Sequence, residues 1–217
     1  MTISDRTVAI IGTGNIGGIL AADFAAGGQD FLLAGRDQET ARKIASSLGG
    51  YAEAVSVDEA VDRAGVLVLA VWLDAFEQLI AQYGERLADK VIVDPSNPIG
   101  PDGHGGIRKV IGEQESSGQI LAGLLPAGAR LVKAFGTLSA PTLSAVARRE
   151  PERAVLFYAA DDTAAGDLVA DLIRVAGFDP VRVGGLDQSI RIEMFGDLHE
   201  VGALGRVVTR TEALKAI

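Results

Sequence analysis

The stretch Thr7-Val8-Ala9-Ile10-Ile11-Gly12-Thr13-Gly14-Asn15-Ile16-Gly17-Gly18 decides how the rest of the chain is read. An apolar, β-branched run over residues 7–11 stops on a glycine. A helical pattern follows over 16–26, with Ile16, Ile19, Leu20 and Phe24 on one face and Gly27-Gly28 as its stop. A Gly-x-Gly-x-x-Gly string is weak alone, but between a strand and a helix each glycine has a task. Gly12 makes the tight turn, Gly14 lets backbone approach a diphosphate, and Gly17 lets the helix lie close on the strand. The N–H groups of Asn15, Ile16 and Gly17 then open the helix and turn its positive end toward an anion. The alternative is a glycine-rich turn with no ligand.

Working outward, β-rich runs alternate with helical patterns, the signature of βαβ units and a parallel sheet. Strands are expected at 31–34, 66–71, 91–93, 130–135, 154–159 and 180–183. Helices are expected at 37–50, from the Ser56-Val57-Asp58-Glu59 capping box, at 142–148 and 161–176, and across the last 30 or so residues. The Gly- and polar-rich segment 99–117 reads as a long loop. The fold class is therefore α/β: a Rossmann-type, doubly wound, mainly parallel sheet with a small C-terminal extension. Residues 1–137 would form the dinucleotide-binding domain, and 138–217 would complete the sheet and the acceptor pocket.

Composition narrows the chemistry. The 217 residues include no cysteine, which excludes disulfides, thiolate metal sites and a cysteine nucleophile. No metal-ligand cluster, catalytic triad or pair of glycosidase carboxylates is visible. Twenty Lys+Arg against 29 Asp+Glu give a net charge of −9, a poor surface for nucleic acid or anionic lipid. The first residues lack the basic and apolar regions of a secretory signal, and the longest apolar run, 65–73, is too short to span a bilayer. The expectation is a soluble, cytoplasmic protein. The apolar run Val201-Gly202-Ala203-Leu204 could pack against a second copy in a homodimer.

The end of the second strand speaks to cofactor identity. An NAD enzyme usually carries an acidic residue there to accept from the ribose 2′-hydroxyl. Here the chain reads Ala34-Gly35-Arg36-Asp37. A guanidinium can grip a 2′-phosphate through paired hydrogen bonds, so Arg36 points to NADP(H), with a solvated surface arginine as the alternative. Asp37 is placed to cap the next helix. Lys43 could assist Arg36, although a solvated lysine explains it better.

With these residues in hand, the chain resembles the NADPH-dependent F-420 reductase family, which includes the F-420:NADP oxidoreductases and the reductase domains of membrane ferric reductases. The likeness is carried by Gly12-Thr13-Gly14-Asn15-Ile16-Gly17-Gly18, Gly35-Arg36, Ala70-Val71-Trp72, Asp94-Pro95-Ser96-Asn97-Pro98 and Val132-Lys133-Ala134-Phe135, and it spans nearly the whole chain. It implies hydride transfer between NADPH and a flavin-like acceptor, with the deazaflavin coenzyme F-420 foremost. It also implies that Arg36 holds the 2′-phosphate, that Ala70, Val71 and Trp72 pass beside the adenosine and nicotinamide ribose, and that Ala134 lies at the nicotinamide carboxamide. Gly35 and Gly136 depart from the family pattern, which commonly has serine at the first and asparagine or histidine at the second.

Trp72, Asn97, Ala134 and Phe135 are expected around the acceptor, Asn97 and Phe135 as its contacts. Trp72 could instead be a core aromatic, and Asn97 a plain Asx-turn. Neither His104, on the polar loop, nor His199, in the C-terminal segment, has a visible partner, and both read better as solvated or structural residues. No catalytic acid–base residue is assigned. A flavin-like ring is its own electron sink and needs none, whereas a carbonyl or imine substrate would demand a proton donor. An NADP-dependent reductase of such a substrate and a non-catalytic NADPH-binding module are the competing readings.

Overall fold

The computed structural model describes residues 6–217; the opening Met1-Thr2-Ile3-Ser4-Asp5, read above for a secretory signal, lies outside them. The first half runs β1 (Val8–Ile11), α1 (Asn15–Ala26), β2 (Phe31–Ala34), α2 (Gln38–Ser46), β3 (Ala52–Ala54), α3 (Val57–Arg63), β4 (Val66–Leu69), α4 (Leu73–Tyr83) and β5 (Val91–Asp94). A hairpin follows, β6 (Ile99–Pro101) and β7 (Ile107–Lys109), then α5 (Ser117–Leu124) and β8 (Arg130–Lys133). The chain closes with α6 (Ala140–Val146), β9 (Val155–Ala160), α7 (Thr163–Val175), β10 (Asp179–Gly184), α8 (Ser189–Ile192) and α9 (Arg210–Ala216).

The main sheet has eight strands in the order β10-β9-β8-β5-β4-β1-β2-β3. Every pairing is parallel except β8 with β9. The central strands β1, β2 and β4 are apolar throughout because both faces are covered. Val8, Ile10, Leu33, Val68 and Val93 pack to one side with α1 and α7. Ala9, Ile11, Leu32, Leu67, Leu69 and Ile92 alternate to the other side with α3 and α4. A third cluster joins Val155, Phe157 and Ala159 of β9 to Ile192, Leu198 and Ala213.

β9 meets β8 only at Val132↔Ala160 and Lys133↔Ala159. The four residues of β9 before that register therefore rise past the end of β8, by about 13 Å at the usual strand rise. β9 and β10 thus stand as a wall beside the carboxyl ends of the parallel strands, a consequence of the single antiparallel pairing.

Side-chain caps set most helix starts. Asp37 Oδ1 accepts from the N–H groups of Glu39 and Thr40, as expected, and Ser56 Oγ accepts from that of Glu59. Ser116 caps α5 and Asp162 caps α7 in the same way. Thr209 and Glu212 form the capping box of α9.

Several expectations need correction. The segment 99–117 is not one long loop: Asp102 Oδ1 accepts from the N–H groups of His104 and Gly106, and with Gly103 and Gly105 at positive φ this closes a β-hairpin. Residue 117 already belongs to α5. The strand expected to reach Phe135 stops at Lys133, because Phe135 takes φ +67° and cannot continue an extended ladder. The strand expected to reach Val71 ends at Leu69. Helix across the last 30 residues holds only for α8 and α9, while 193–205 is a run of turns. β3, α4 and α5 were not expected from the sequence.

Arg148 ties two helix ends together. Its guanidinium donates to the carbonyls of Asp23 on α1 and of Val175 and Ala176 at the end of α7, supplying partners that helix termini lack. The neighbouring Asp23 carboxyl is largely buried, with Oδ2 unpartnered. Desolvation pushes its pKa up to about 6 against a smaller opposing pull from Arg148 at 3.7 Å. The folded pKa thus lies above the unfolded value, so this group's stabilising contribution is complete below about pH 3.8 and is lost as the pH rises through 6. Asp23→Asn should therefore be more stable than the wild type at pH 8, by on the order of 1–3 kcal/mol. The gain should shrink toward pH 4. Urea midpoints at the two pH values check this, and an Asn variant no more stable at pH 8 would refute it.

Candidate functional site

The Gly12–Gly17 turn leaves β1 at its carboxyl end and enters α1, as its sequence pattern requires. A Cβ on Gly12, which has φ +122°, would meet the Ala70 carbonyl oxygen at 2.2 Å, and one on Gly17 would meet the Gly12 carbonyl oxygen at 1.9 Å. Both glycines are thus demanded by the fold. Gly14 differs: a Cβ there meets nothing within 4 Å, and the residue is exposed. α1 begins at Asn15 with no side-chain cap, in contrast to α2, α3, α5 and α7, and with no acidic residue in its first turn, in contrast to α2 and α3. The opening N–H groups are left to face outward beside an open surface, an arrangement suited to an anion.

Around the turn, the structure gathers the residues singled out from sequence. Ala70 Cβ would lie 3.3 Å from a side chain on Gly17, and Val71 Cγ1 3.2 Å from one on Gly12, so the segment after β4 lies along the turn. Thr13 lies over Gly35, where a Cβ would approach its Oγ1 at 2.9 Å, which accounts for glycine at that position. Arg36 follows, exposed and without a hydrogen bond or ion pair to any described residue. Lys43 is paired instead with Glu39 at 3.2 Å, both exposed. Asp37 is occupied by its cap, and the Thr40 hydroxyl, with the Thr40 and Glu39 N–H groups, holds its carboxyl below the ordinary range. Trp72 is 66% exposed at the start of α4, which rules out the core-aromatic reading and leaves its ring free.

A second constellation sits at the carboxyl ends of β5 and β8. Asp94 and Lys133 are register partners, and both side chains are buried. Lys133 Nζ donates to Asp94 Oδ2 at 2.7 Å, to the Ser96 carbonyl at 2.5 Å and to Ser117 Oγ at 2.8 Å, which uses all three ammonium protons. Ser117 Oγ and the Gly118 N–H donate in turn to Glu193 Oε1, which lies 3.8 Å from Lys133 Nζ. Sequence reading missed this network. Its one signal was an acid and a base at the ends of two apolar strand runs.

Asn97 and Phe135, expected as acceptor contacts, are both engaged within the protein. The Asn97 amide brackets the crest: Nδ2 donates to the Gly136 carbonyl at 2.9 Å, and Oδ1 accepts from the Met194 N–H at 2.6 Å. Both ends are engaged within the protein, and neither bond is an Asx-turn. Phe135 is fully buried, edge-on to Phe24 with ring centroids 6.1 Å apart, because its left-handed backbone swings the ring into the core. Ala134 is buried as well, and its N–H donates to the Asp94 carbonyl at 3.1 Å. His104 stands exposed at the hairpin tip. His199 is buried in turns rather than on a helix; Nδ1 accepts from the Val201 N–H, and desolvation holds its pKa below the ordinary value. Neither histidine presents a poised acid or base. Among the described residues no cluster of potential metal ligands occurs, and no helix is long and apolar enough to cross a membrane.

Comparison with known proteins agrees with this geometry. Residues 7–98, which hold the turn, Arg36 and the segment after β4, match the family model described as NADP oxidoreductase coenzyme F420-dependent. The F420-dependent NADP reductase of Methanothermobacter thermautotrophicus is 32% identical over 197 residues, covering 86% of this chain and 84% of that protein. A hypothetical protein from Sinorhizobium meliloti has a solved structure that superposes with TM-score 0.81 at 30% identity, over 97% of this chain and 96% of that one. A candidate F420-dependent NADP reductase from Arthrobacter shares the fold with TM-score 0.71 at 22% identity, over 84% and 86% of the two chains. On the strength of its identity to the Methanothermobacter enzyme over most of both chains, the protein belongs to the coenzyme F420-dependent NADP oxidoreductase family and is an NADP-dependent oxidoreductase.

Proposed function

We propose that the protein transfers hydride between NADPH and a flavin-like ring, the deazaflavin coenzyme F-420 foremost, at the carboxyl ends of β1, β4, β5 and β8. The observation that carries this reading is the conjunction of an uncapped helix start, a Gly14 surface open to a diphosphate and an unpaired Arg36 on the same end of the sheet. Family membership and the name of the Methanothermobacter relative support the choice of acceptor.

In this reading Gly12, Thr13, Gly14, Asn15, Ile16 and Gly17 receive the diphosphate through backbone N–H groups and the positive end of α1. Arg36 receives the 2′-phosphate, the local positive charge that a chain of net charge −9 must supply to bind an anion. Ala70 and Val71 form the floor beside the turn, and Trp72 offers an exposed ring face above it. Ala134 packs beneath the far side of the site. Bound NADPH supplies the hydride. The protein's own task is to align donor and acceptor carbons about 3–3.5 Å apart and to keep water from between them. The buried Asp94, Lys133 and Glu193 are engaged with one another, and none is offered as a proton donor.

Stopped-flow single-turnover oxidation of NADPH tests the acceptor. Oxidation coupled to reduction of F-420 or FMN is expected, and His104→Ala should alter the rate less than threefold, the hairpin-tip ring being outside the chemistry. Turnover of a small carbonyl or imine with no ring acceptor would reject the proposal.

Two variants test the cofactor side. Arg36→Ala should weaken NADPH binding by about 1.5–3 kcal/mol, the range for hydrogen bonds to charged groups, and leave NADH affinity nearly unchanged by calorimetry. Equal wild-type affinities for the two cofactors would defeat the assignment. Gly14→Val should fold with a wild-type circular dichroism spectrum yet fail to bind NADPH, since its side chain meets no protein atom but occupies the phosphate approach. Gly12→Val, with its Cβ driven into the Ala70 carbonyl, should lose the fold as well. Normal NADPH titration of the Gly14 variant would place the cofactor elsewhere.

A further inference from the structure

After α8 the chain crosses the carboxyl ends of β5 and β8 as a strap, and five hydrogen bonds hold it there. Glu193 is buried and accepts from Ser117 Oγ and the Gly118 N–H. The Met194 N–H donates to Asn97 Oδ1. Further on, the Glu200 N–H donates to the Thr137 carbonyl, and Glu200 Oε1 accepts from the Ser139 N–H at 2.5 Å. Between these attachments stands Phe195, 47% exposed and at φ +73°.

Both properties are unfavourable for a phenylalanine. The left-handed region is a true outlier for a bulky residue, and an exposed ring forgoes the burial that usually justifies an aromatic. The backbone here is over-determined from both sides, by Glu193 and Met194 before it and by Gly196 after it. A Cβ on Gly196 would meet the carbonyl oxygens of Ile190 and Arg191 at 2.3 and 2.4 Å, so the chain has no room to relax. Strain of this kind, held by its surroundings, concentrates at functional sites. In the sheet, β5 lies between β8 and β4, and shortly after β4 the chain reaches Trp72, also an exposed aromatic, at the start of α4. With neighbouring strands about 4.8 Å apart, the crest of β5 and β8 begins about one strand spacing from the end of β4.

We infer that Phe195 is a specificity-determining residue: its ring forms a wall of the acceptor site and packs against the planar ring system of the electron acceptor. The inference rests on the flavin-like acceptor proposed above. Asn97 and Glu193 then act as positioning residues, holding the strap that carries the ring. This arrangement also gives the C-terminal segment a part in the site, although its chain lies far in sequence from the dinucleotide turn.

The test uses Phe195→Gly and Phe195→Ala in the full chain, with F-420 and FMN as acceptors and NADPH affinity measured separately by calorimetry. Glycine tolerates the left-handed backbone, so that variant should fold with a melting temperature at or above the wild type's. The expected result is an acceptor KM raised roughly tenfold, the scale of a lost aromatic contact, with NADPH Kd within about twofold of wild type. Phe195→Tyr should restore the wild-type KM. An unchanged acceptor KM in the glycine and alanine variants, with wild-type turnover intact, overturns this inference and leaves the acceptor assignment standing. A parallel loss of NADPH affinity also overturns it, since that marks a general scaffold role. If the wild type reduces neither ring acceptor, the acceptor assignment itself falls, and this inference falls with it.

Discussion

The ammonium group of Lys133 is the point on which the upper end of the sheet depends. A charge buried to this degree is tolerated only when paired and fully hydrogen-bonded, and Lys133 meets both conditions with three donations to three segments of chain. Asp94 is fixed from β5, the Ser96 carbonyl from the turn above it, and Ser117 from the start of α5. Through Ser117 the network reaches Glu193 and the strap. Hydrophobic packing could hold β5 beside β8, but it is not directional. The network specifies where the loop after β5, the start of α5 and the C-terminal segment sit relative to one another, which is what a positioning site requires.

The dinucleotide side is governed by a different constraint, close approach of backbone. Gly12 and Gly17 exist because Ala70 and the turn's own carbonyls leave no room for a side chain, whereas Gly14 faces open space. Three glycines in one motif therefore answer to two causes. Two serve the packing of α1 on β1 and β4, and one keeps a surface clear. The same economy appears at Gly35, which yields its place to Thr13 and so brings the turn against the end of β2, with Arg36 immediately beyond.

These two sides were unequally legible in the sequence. The turn, β1, β2, β4, β5 and the α7 helix rest on local patterns: glycine spacing, apolar runs and helical periodicity. Those signals survive without knowledge of neighbours. The crest is built from side chains tens of residues apart, and nothing local marks Lys133 or Asp94 as partners. Phe135 was misplaced for a related reason: an aromatic at the end of a strand run reads as extended, and only the positive φ turns it inward. The hydrogen bonds of Asn97 were not legible, because its two partners, Gly136 and Met194, come from chain that sequence alone does not bring near. Phe195 had no signal at all, since exposure and backbone strain are properties of the folded chain.

The strap's attachments also order events during biosynthesis. Everything that shapes the dinucleotide turn lies before β5 ends, so a nascent chain can assemble it from neighbours in sequence. Asn97 must wait for Met194, 97 positions later, and Ser117 for Glu193, 76 positions later. Loop closure over such spans is slow compared with local contacts. The turn and its packing against β2 and β4 can therefore form while the ribosome is still making the residues that close the carboxyl ends of β5 and β8, and the second half of the site comes into being later than the first.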